Sequence, residues 1–297
     1  MNGPVEEGSV SGTSGPPVCA FLDRLRAAET VEVVELRPPR TGLGAEDRLD
    51  SWIDQDDATR RLLSLGLPLF YTDDAVGVGE EENLRHLASV IESPAELAQV
   101  VPFLTCKHTL DYCLLYAQRA AAQGFRALTV LGGDRGAGPE RCLPHAYQLR
   151  QRIRAAVPEL SLGGWLNPHG DVEAQLGYLS DQDVTADFYL TQVVSHHHLD
   201  RVAACLEGAR ERGITIPGVW GVFYYRSPNP RTLEALNDFF PVPQTELAEE
   251  FARGASPAEV CARTVRGLRD LGVRNIYLSN FGIARPQRLY RDVMARI

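Results

Sequence analysis

The sequence predicts a single (β/α)8 barrel, also called a TIM barrel, and three observations lead to this fold class. Eight short β-rich runs recur along the 297-residue chain. Amphipathic stretches long enough for helices separate most of these runs. Alternating strands and helices predict a parallel sheet covered by helices, and eight such units suit a closed barrel. A doubly wound open sheet produces a similar alternation and is the alternative architecture.

Each predicted strand is too short for a helix, and most strands are bounded by Gly, Pro or Asp. Their apolar and β-branched side chains are typical of buried parallel strands. The eight runs are residues 31–37, 67–72, 100–105, 126–132, 160–167, 186–192, 217–224 and 274–279.

The segments between the predicted strands carry sequence features of helices. Residues 108–124 and 196–213 carry apolar residues at helical spacing and stop at a glycine. Residues 256–272 begin with a serine cap followed by proline. The longest interval, residues 225–273, follows the seventh strand and has room for an extra helix over 231–240.

The N-terminal segment differs in composition from the rest of the chain. Residues 1–17 are rich in Gly, Pro, Ser and Thr, which predicts a disordered tail before a barrel domain over 18–297.

The net charge of the chain is −9. This acidity argues against a sequence-independent nucleic-acid binder and against docking on an anionic membrane. The sequence shows no signal-peptide pattern and no apolar run of the roughly 20 residues that span a bilayer, so we expect a cytoplasmic protein.

Cysteine and lysine usage limit the available chemistry. The chain has six cysteines without a CxxC pair, and we expect all of them to be reduced. Lys107 is the only lysine, so any scheme that needs a lysine elsewhere is excluded.

Polar residues follow the predicted strands where each strand ends. The active site of a (β/α)8 barrel lies at the C-terminal ends of its strands, so these side chains are expected to form one concave polar site. For any one of them alone, ordinary turn chemistry is the alternative explanation. The set comprises Glu35, Thr72, Asp73, Thr105, Asp134, Asn167, His169, Gln192, Tyr224 and Asn280.

Glu35 is the strongest candidate for acid–base chemistry. Pro38 and Pro39 stop the first strand, which leaves the preceding carboxylate at the barrel mouth. In a partly apolar pocket the pKa of this carboxyl would rise, which suits a general acid. The alternative is a structural salt bridge to Arg37 or Arg40.

The Gly-rich segment LGGDRGAG, residues 131–138, follows the fourth strand. Its backbone N–H groups could hold a phosphate, and Asp134 could accept a hydrogen bond from a heterocyclic N–H. The segment matches neither a P-loop nor GxGxxG.

The run His196, His197 and His198 does not predict a metal site, because adjacent side chains entering a helix are expected to diverge. We expect these histidines to cap the helix or to line a cofactor edge. Aromatic residues such as Trp165 and Tyr225 near the barrel mouth suit stacking on a planar ligand, with core packing as the commoner use.

Taken together, these segments resemble the methylenetetrahydrofolate reductase family over about residues 31–281. The resemblance implies a (β/α)8 flavoprotein that uses NADH or NADPH to reduce 5,10-methylenetetrahydrofolate to 5-methyltetrahydrofolate in one-carbon metabolism, for methionine biosynthesis. It also implies FAD as cofactor, a reduced folate as substrate and a homo-oligomer. Its markers are Glu35 before Pro38-Pro39-Arg40-Thr41, then Pro102, Leu104-Thr105-Cys106, Gly133-Asp134, His169, Thr191-Gln192, Tyr277 and Asn280.

The resemblance also implies residue roles. Glu35 would be the general acid that opens the five-membered ring, Asp134 would contact flavin and folate, and Gln192 would bind the pterin. The implied cofactor contacts are Thr72, Gly133, Asp134, His145, Ala146, Trp165 and His169. The implied substrate contacts are Gln192, Tyr225, Asn280 and Arg285.

Several family positions differ in this chain. Where the family has Arg-Gly-Asp, this chain has Gly132-Gly133-Asp134. The family's flavin-binding lysine falls near Asp181, which carries the opposite charge. His145 replaces a flavin-contacting tyrosine, and Phe281 replaces an arginine that holds the folate tail.

Three alternatives therefore remain open. One is a flavin-free reductase with direct transfer from NADH. Another is a non-catalytic folate- or flavin-binding subunit of a C1-transfer complex. The third is another flavin-dependent barrel, such as a proline dehydrogenase-like enzyme.

Overall fold

The computed structural model describes residues 19–27, 29–73, 84–134, 136, 138–180 and 185–297. The expected tail over residues 1–17 and the position of Asp181 lie outside these residues. Within the described ranges, no helix combines the length and apolar composition that a membrane crossing requires.

Eight parallel strands form a closed barrel, in which each strand pairs with the next and β8 pairs with β1. This closure confirms the predicted (β/α)8 fold and excludes the open doubly wound sheet. All eight strands occur where the sequence predicts them, with ends that differ by two residues at most. The strands are β1 Val31–Leu36, β2 Leu69–Tyr71, β3 Val100–Thr105, β4 Ala127–Leu131, β5 Ser161–Leu166, β6 Phe188–Thr191, β7 Gly218–Phe223 and β8 Asn275–Ser279.

Helices pack around the barrel, and α5, α8 and α11 occupy the three segments with helix signals. The expected extra helix after β7 is α9, and α10 follows it. The helices are α1 Ala20–Arg26, α2 Ala45–Leu63, α3 Leu84–Val90, α4 Pro94–Leu97, α5 Leu110–Gln123, α6 Ala146–Ala156, α7 Val172–Ser180, α8 Leu199–Glu211, α9 Pro230–Asn237, α10 Gln244–Ala252, α11 Pro257–Asp270 and α12 Pro286–Met294. A single 3-10 turn, His196–His198, precedes α8.

The N-terminal end of the barrel is closed by α1. The Phe21 ring packs edge-on against Phe70 at 5.8 Å and Phe188 at 5.4 Å between centroids. Asn275, the first residue of β8, donates a hydrogen bond to the Leu25 carbonyl at 3.2 Å. The two cavities of the barrel that are lined by strand-end residues lie at the opposite end.

Side chains along each strand alternate between the inside and the outside of the barrel, and this alternation determines which of them reach its C-terminal end. Val33 on β1 is fully buried within the barrel interior. Successive side chains on a strand point to opposite faces, so Glu35, two residues further on, shares the inward face of Val33. The same rule places Ser279 on β8 in line with the buried ring of Tyr277.

Candidate active site

A cavity of about 460 Å³ opens at the C-terminal ends of the strands. Its polar lining combines strand-end and loop residues, and its apolar lining includes Phe103, Leu131 and Phe223. Many of the predicted site residues lie together in this cavity: Glu35, Thr72, Gly133, Asp134, Trp165, Gln192 and Asn280.

Glu35 is held by the strand next to it. Its Oε1 accepts a hydrogen bond from Ser279 Oγ at 2.6 Å, across the β1–β8 pairing. Tyr277 lies on the same barrel face, and its hydroxyl donates to the Thr191 carbonyl at 2.7 Å. Burial raises the pKa of Tyr277 well above its usual range, and the charge of Glu35 raises it further. Glu35 therefore has a fixed position between the barrel interior and the cavity.

The side chains of Lys107 and Arg141 pack against the Gly-rich loop. Gly133 has a φ of +73°, and a Cβ there would lie 2.7 Å from Lys107 Cγ. The buried Lys107 donates from Nζ to the Pro139 carbonyl at 2.9 Å. Arg141 donates to the Gly133 carbonyl. Glycine at 133 satisfies both the backbone angle and the close approach of Lys107.

Asp134 lies beside these cations at the rim of the cavity. The residue as a whole is exposed, but partial desolvation of its carboxyl raises its pKa above the usual value. The positive charges of Lys107 and Arg141 oppose this increase.

Gln192 connects the strand ends to an apolar wall. Its Oε1 accepts a hydrogen bond from the Val193 backbone N–H at 2.9 Å, which orients the amide. Its Nε2 donates to the Phe239 carbonyl over a long 3.4 Å. Leu236, Phe239 and Phe240 line the cavity from α9 and the residues after it. The sequence patterns do not assign this wall, because its residues lie in or just after a helix and not at the end of a strand.

Asn280 adopts a left-handed backbone with a φ of +69°, a conformation that asparagine tolerates better than most residues. Its Nδ2 donates to the Tyr224 carbonyl at 3.0 Å, and its own carbonyl accepts from Arg226. A second cavity of about 440 Å³ adjoins this point and is lined by Glu35, Leu36, Arg37, Pro38, Arg40, Arg226, Asn280, Gly282 and Ile283.

Other predicted contacts do not line the main cavity. His145 and Ala146 lie at the start of α6, where the backbone N–H of His145 donates to the Gln148 side chain at 3.2 Å. The His145 ring stacks on Tyr147, with centroids 5.5 Å apart. Arg285 immediately precedes α12 in a left-handed conformation.

His169 and Tyr225 also do not line the main cavity. His169 Nε2 contacts the Val193 carbonyl at 2.9 Å, and burial lowers the pKa of its imidazole. Tyr225 is buried against Phe223, and burial raises the pKa of its hydroxyl well above the usual range.

The cavity brings together only part of the flavin contacts that the resemblance implies. Only Thr72, Gly133, Asp134 and Trp165 of the assigned flavin contacts line the cavity. At the family's arginine position, a Cβ on Gly132 would lie 2.7 Å from the Arg141 guanidinium, so this space is already filled.

The expectation that adjacent histidines diverge is met for His198 but not for His196 and His197. His196 and His197 both contact Glu250, and their ring centroids lie 4.0 Å apart. His198 instead packs edge-on against His169 at 5.1 Å.

No protein-family model and no curated protein matches the sequence. Solved structures do match the fold. An uncharacterized protein from Clostridium thermocellum that binds two copies of 5-methyl-5,6,7,8-tetrahydrofolic acid has 13% identity and a TM-score of 0.66. The match covers 93% of this chain and 97% of that chain.

Two further structures are F420-dependent enzymes. A secondary alcohol dehydrogenase in complex with an F420-acetone adduct has 13% identity and a TM-score of 0.54, over 89% of this chain and 99% of that chain. The tetrahydromethanopterin reductase from Methanopyrus kandleri has 10% identity and a TM-score of 0.51, over 88% and 96%. At these identities the similarity shows the fold.

Proposed function

We propose that this chain is a reductase that transfers hydride directly from NADH or NADPH to 5,10-methylenetetrahydrofolate. The observation that carries the proposal is the arrangement of Glu35, Asp134 and Gln192 around one cavity. Its volume of about 460 Å³ lies within the range of small-molecule sites. The folate ligand of the Clostridium thermocellum protein and the reductase chemistry of the F420-dependent enzymes support this assignment.

Glu35 supplies the proton in this reaction. Protonation of N10 breaks its bond to the bridging methylene carbon and leaves an iminium at N5. Hydride from the nicotinamide adds to that carbon, giving 5-methyltetrahydrofolate and the oxidised nucleotide. The overall reaction consumes one proton, which Glu35 regains from water. The hydrogen bond from Ser279 holds the carboxyl in place while the proton moves.

Asp134 and Gln192 orient the pterin. The carboxylate of Asp134 accepts hydrogen bonds from ring N–H groups. The Gln192 amide is oriented by Val193, and its long 3.4 Å bond to Phe239 is the contact that the pterin replaces.

The apolar wall limits water near the reacting carbon. Trp165, Phe223 and Phe240 line the cavity and suit stacking on flat rings. Excluding water protects the iminium from hydrolysis before hydride arrives.

Isotope transfer tests the proposal. Flavin-free protein is incubated with methylenetetrahydrofolate and NADH or NADPH deuterated at either face of C4, and the methyl group is analysed by mass spectrometry. We expect one deuterium per methyl group from one of the two faces, without added FAD. Turnover only with FAD, or deuterium lost to solvent, contradicts direct transfer.

A second candidate is a folate-binding protein without turnover, which the binding activity of the Clostridium thermocellum protein favours. Tight binding of 5-methyltetrahydrofolate without nucleotide oxidation, with or without FAD, would favour this candidate and contradict the reductase.

A further inference from the structure

The loop after β6 brings two imidazoles and a carboxylate together outside the main cavity. His196 and His197 lie in the 3-10 turn, where Ser195 Oγ accepts from the His197 backbone N–H at 3.3 Å. Glu250 comes from α10, more than 50 residues further along the chain. Its side chain is 7% exposed, an unusual environment for a carboxylate.

The three groups converge on one point. His196 Nε2 and His197 Nε2 each lie 2.6 Å from the same oxygen, Oε1 of Glu250. One potential ligand atom from each residue lies within 4.8 Å of the other two. Among the described residues, this is the only group of three or more His, Cys, Asp or Glu with such convergence.

Two residues of α11 contact these groups from outside. Thr264 Oγ1 lies 3.0 Å from His196 Nδ1, the ring nitrogen that does not face Glu250. Arg263 donates to Glu250 Oε2 at 2.6 Å and also pairs with Glu259. Metal-binding imidazoles and carboxylates characteristically have such outer partners on their second polar atom.

We propose that His196, His197 and Glu250 bind a divalent transition metal ion, with Zn²⁺ as the best match. Two imidazoles and one carboxylate are a common ligand set for Zn²⁺, with water as the fourth ligand. His196 and His197 are 14% and 24% exposed, which leaves a path for the ion and that water. This proposal does not depend on the proposed reductase activity.

Only a small rearrangement is needed to admit the ion. Tetrahedral ligands about 2.1 Å from Zn²⁺ lie about 3.4 Å from one another. The 2.6 Å contacts with Glu250 therefore lengthen by about 0.8 Å on binding. With neutral imidazoles, the two carboxylates of Glu250 and Glu259 outweigh the single charge of Arg263, which favours a cation.

The position of the site would let a bound ion connect two sides of the main cavity. The loop that holds the histidines begins with Gln192 and Val193, which line the main cavity. Glu250 belongs to α10, which follows the apolar wall at Phe239 and Phe240. A bound ion would tie these two sides of the cavity together without contacting the substrate.

Metal binding to the full chain without an affinity tag tests the site. Protein stripped with a chelator is titrated with Zn²⁺ by calorimetry, and bound metal is counted by elemental analysis. We expect one ion per chain, and at least a tenfold loss of affinity in His197→Ala and Glu250→Gln. Thr264→Val keeps all three ligands and is expected to lose about 10- to 100-fold through its outer contact.

His86→Ala is the matched control, because His86 also contacts a carboxylate, Asp56, at 2.9 Å, but without a second histidine. It should bind Zn²⁺ like the wild type. Zn²⁺ should raise the Tm of the wild type and His86→Ala, but not that of His197→Ala. Absence of binding, or equal affinity in all folded variants, would overturn the proposal. If a variant fails to fold, visible absorption of four-coordinate Co²⁺ in the wild type decides, and its absence counts against the site.

Discussion

Glu35 and Asp134 face the same cavity, but the fold holds them by different means. Glu35 lies on β1, within the paired part of the barrel, and Ser279 of the neighbouring strand fixes one of its oxygens. Asp134 lies in a loop whose position depends on Lys107 and Arg141. The strand-end carboxylate is positioned by the sheet, and the loop carboxylate by two cations.

This difference suits the two roles that we propose for these carboxylates. A proton donor needs a fixed distance to its acceptor, which a barrel strand provides. A ligand-binding carboxylate needs a suitable charge, which neighbouring cations adjust. Substitutions at Glu35 should therefore change turnover, and substitutions around Asp134 should change affinity and its pH dependence.

The largest expected effect comes from Glu35→Gln. The amide keeps the shape of the side chain but cannot deliver the proton, so kcat should fall by about 10²–10⁴. Affinity for 5-methyltetrahydrofolate should stay within a few fold. Steady-state kinetics and calorimetry measure the two quantities. Glu46→Gln, on the exposed face of α2, should leave both unchanged. A kcat within twofold of wild type would remove Glu35 from the mechanism.

Asp134→Asn should weaken folate binding by about 10- to 100-fold, the usual range for losing a hydrogen bond to a charged group. Because the pKa of Asp134 is raised, its ionised form is lost at a higher pH than for an ordinary aspartate. Wild-type affinity should therefore decrease as pH falls through this raised pKa. The variant should show a flat profile there, and an identical acid limb in both proteins would contradict the assignment.

Gly133→Ala tests how the loop is supported. A positive φ and a Cβ 2.7 Å from Lys107 should together destabilise the protein by about 1–3 kcal/mol. Urea unfolding measures the change. Gly136→Ala in the same loop is the control, because nothing lies within 4 Å of its added Cβ. Equal unfolding free energies for the two variants would contradict the strain expected at Gly133.

Ser279→Ala should have the smallest effect. Loss of one hydrogen bond costs about 0.5–1.5 kcal/mol, which corresponds to a two- to tenfold decrease in kcat. The folate affinity should not change. A kcat loss as large as that of Glu35→Gln would mean that strand pairing alone does not position the carboxylate.

The sequence predicts the barrel well because each strand carries its own signal. Short β-rich runs, most of them bounded by Gly, Pro or Asp, predict the positions of all eight strands. Strand-end residues such as Glu35, Gln192 and Asn280 then lie in one cavity, because the carboxyl ends of parallel strands in a closed barrel surround one mouth.

The rest of the site depends on tertiary contacts that no local pattern encodes. Arg141 reaches back to the Gly133 carbonyl, and Phe239 reaches across to Gln192. His145 stands where the resemblance implies a flavin contact, but the structure places it at the start of α6, against Tyr147. His196 and His197 converge only because α10 supplies Glu250.

Lys107 makes this chain unusual for chemical labelling. It is the only lysine, it is 6% exposed, and it packs beneath Gly133. Amine-reactive reagents therefore have a single side-chain target, apart from the terminal amino group. Because the side chain packs against Gly133, its rate of acylation depends on how often the Gly-rich loop exposes it. Measuring that rate on one peptide, with and without ligand, therefore reports on the exposure of this loop.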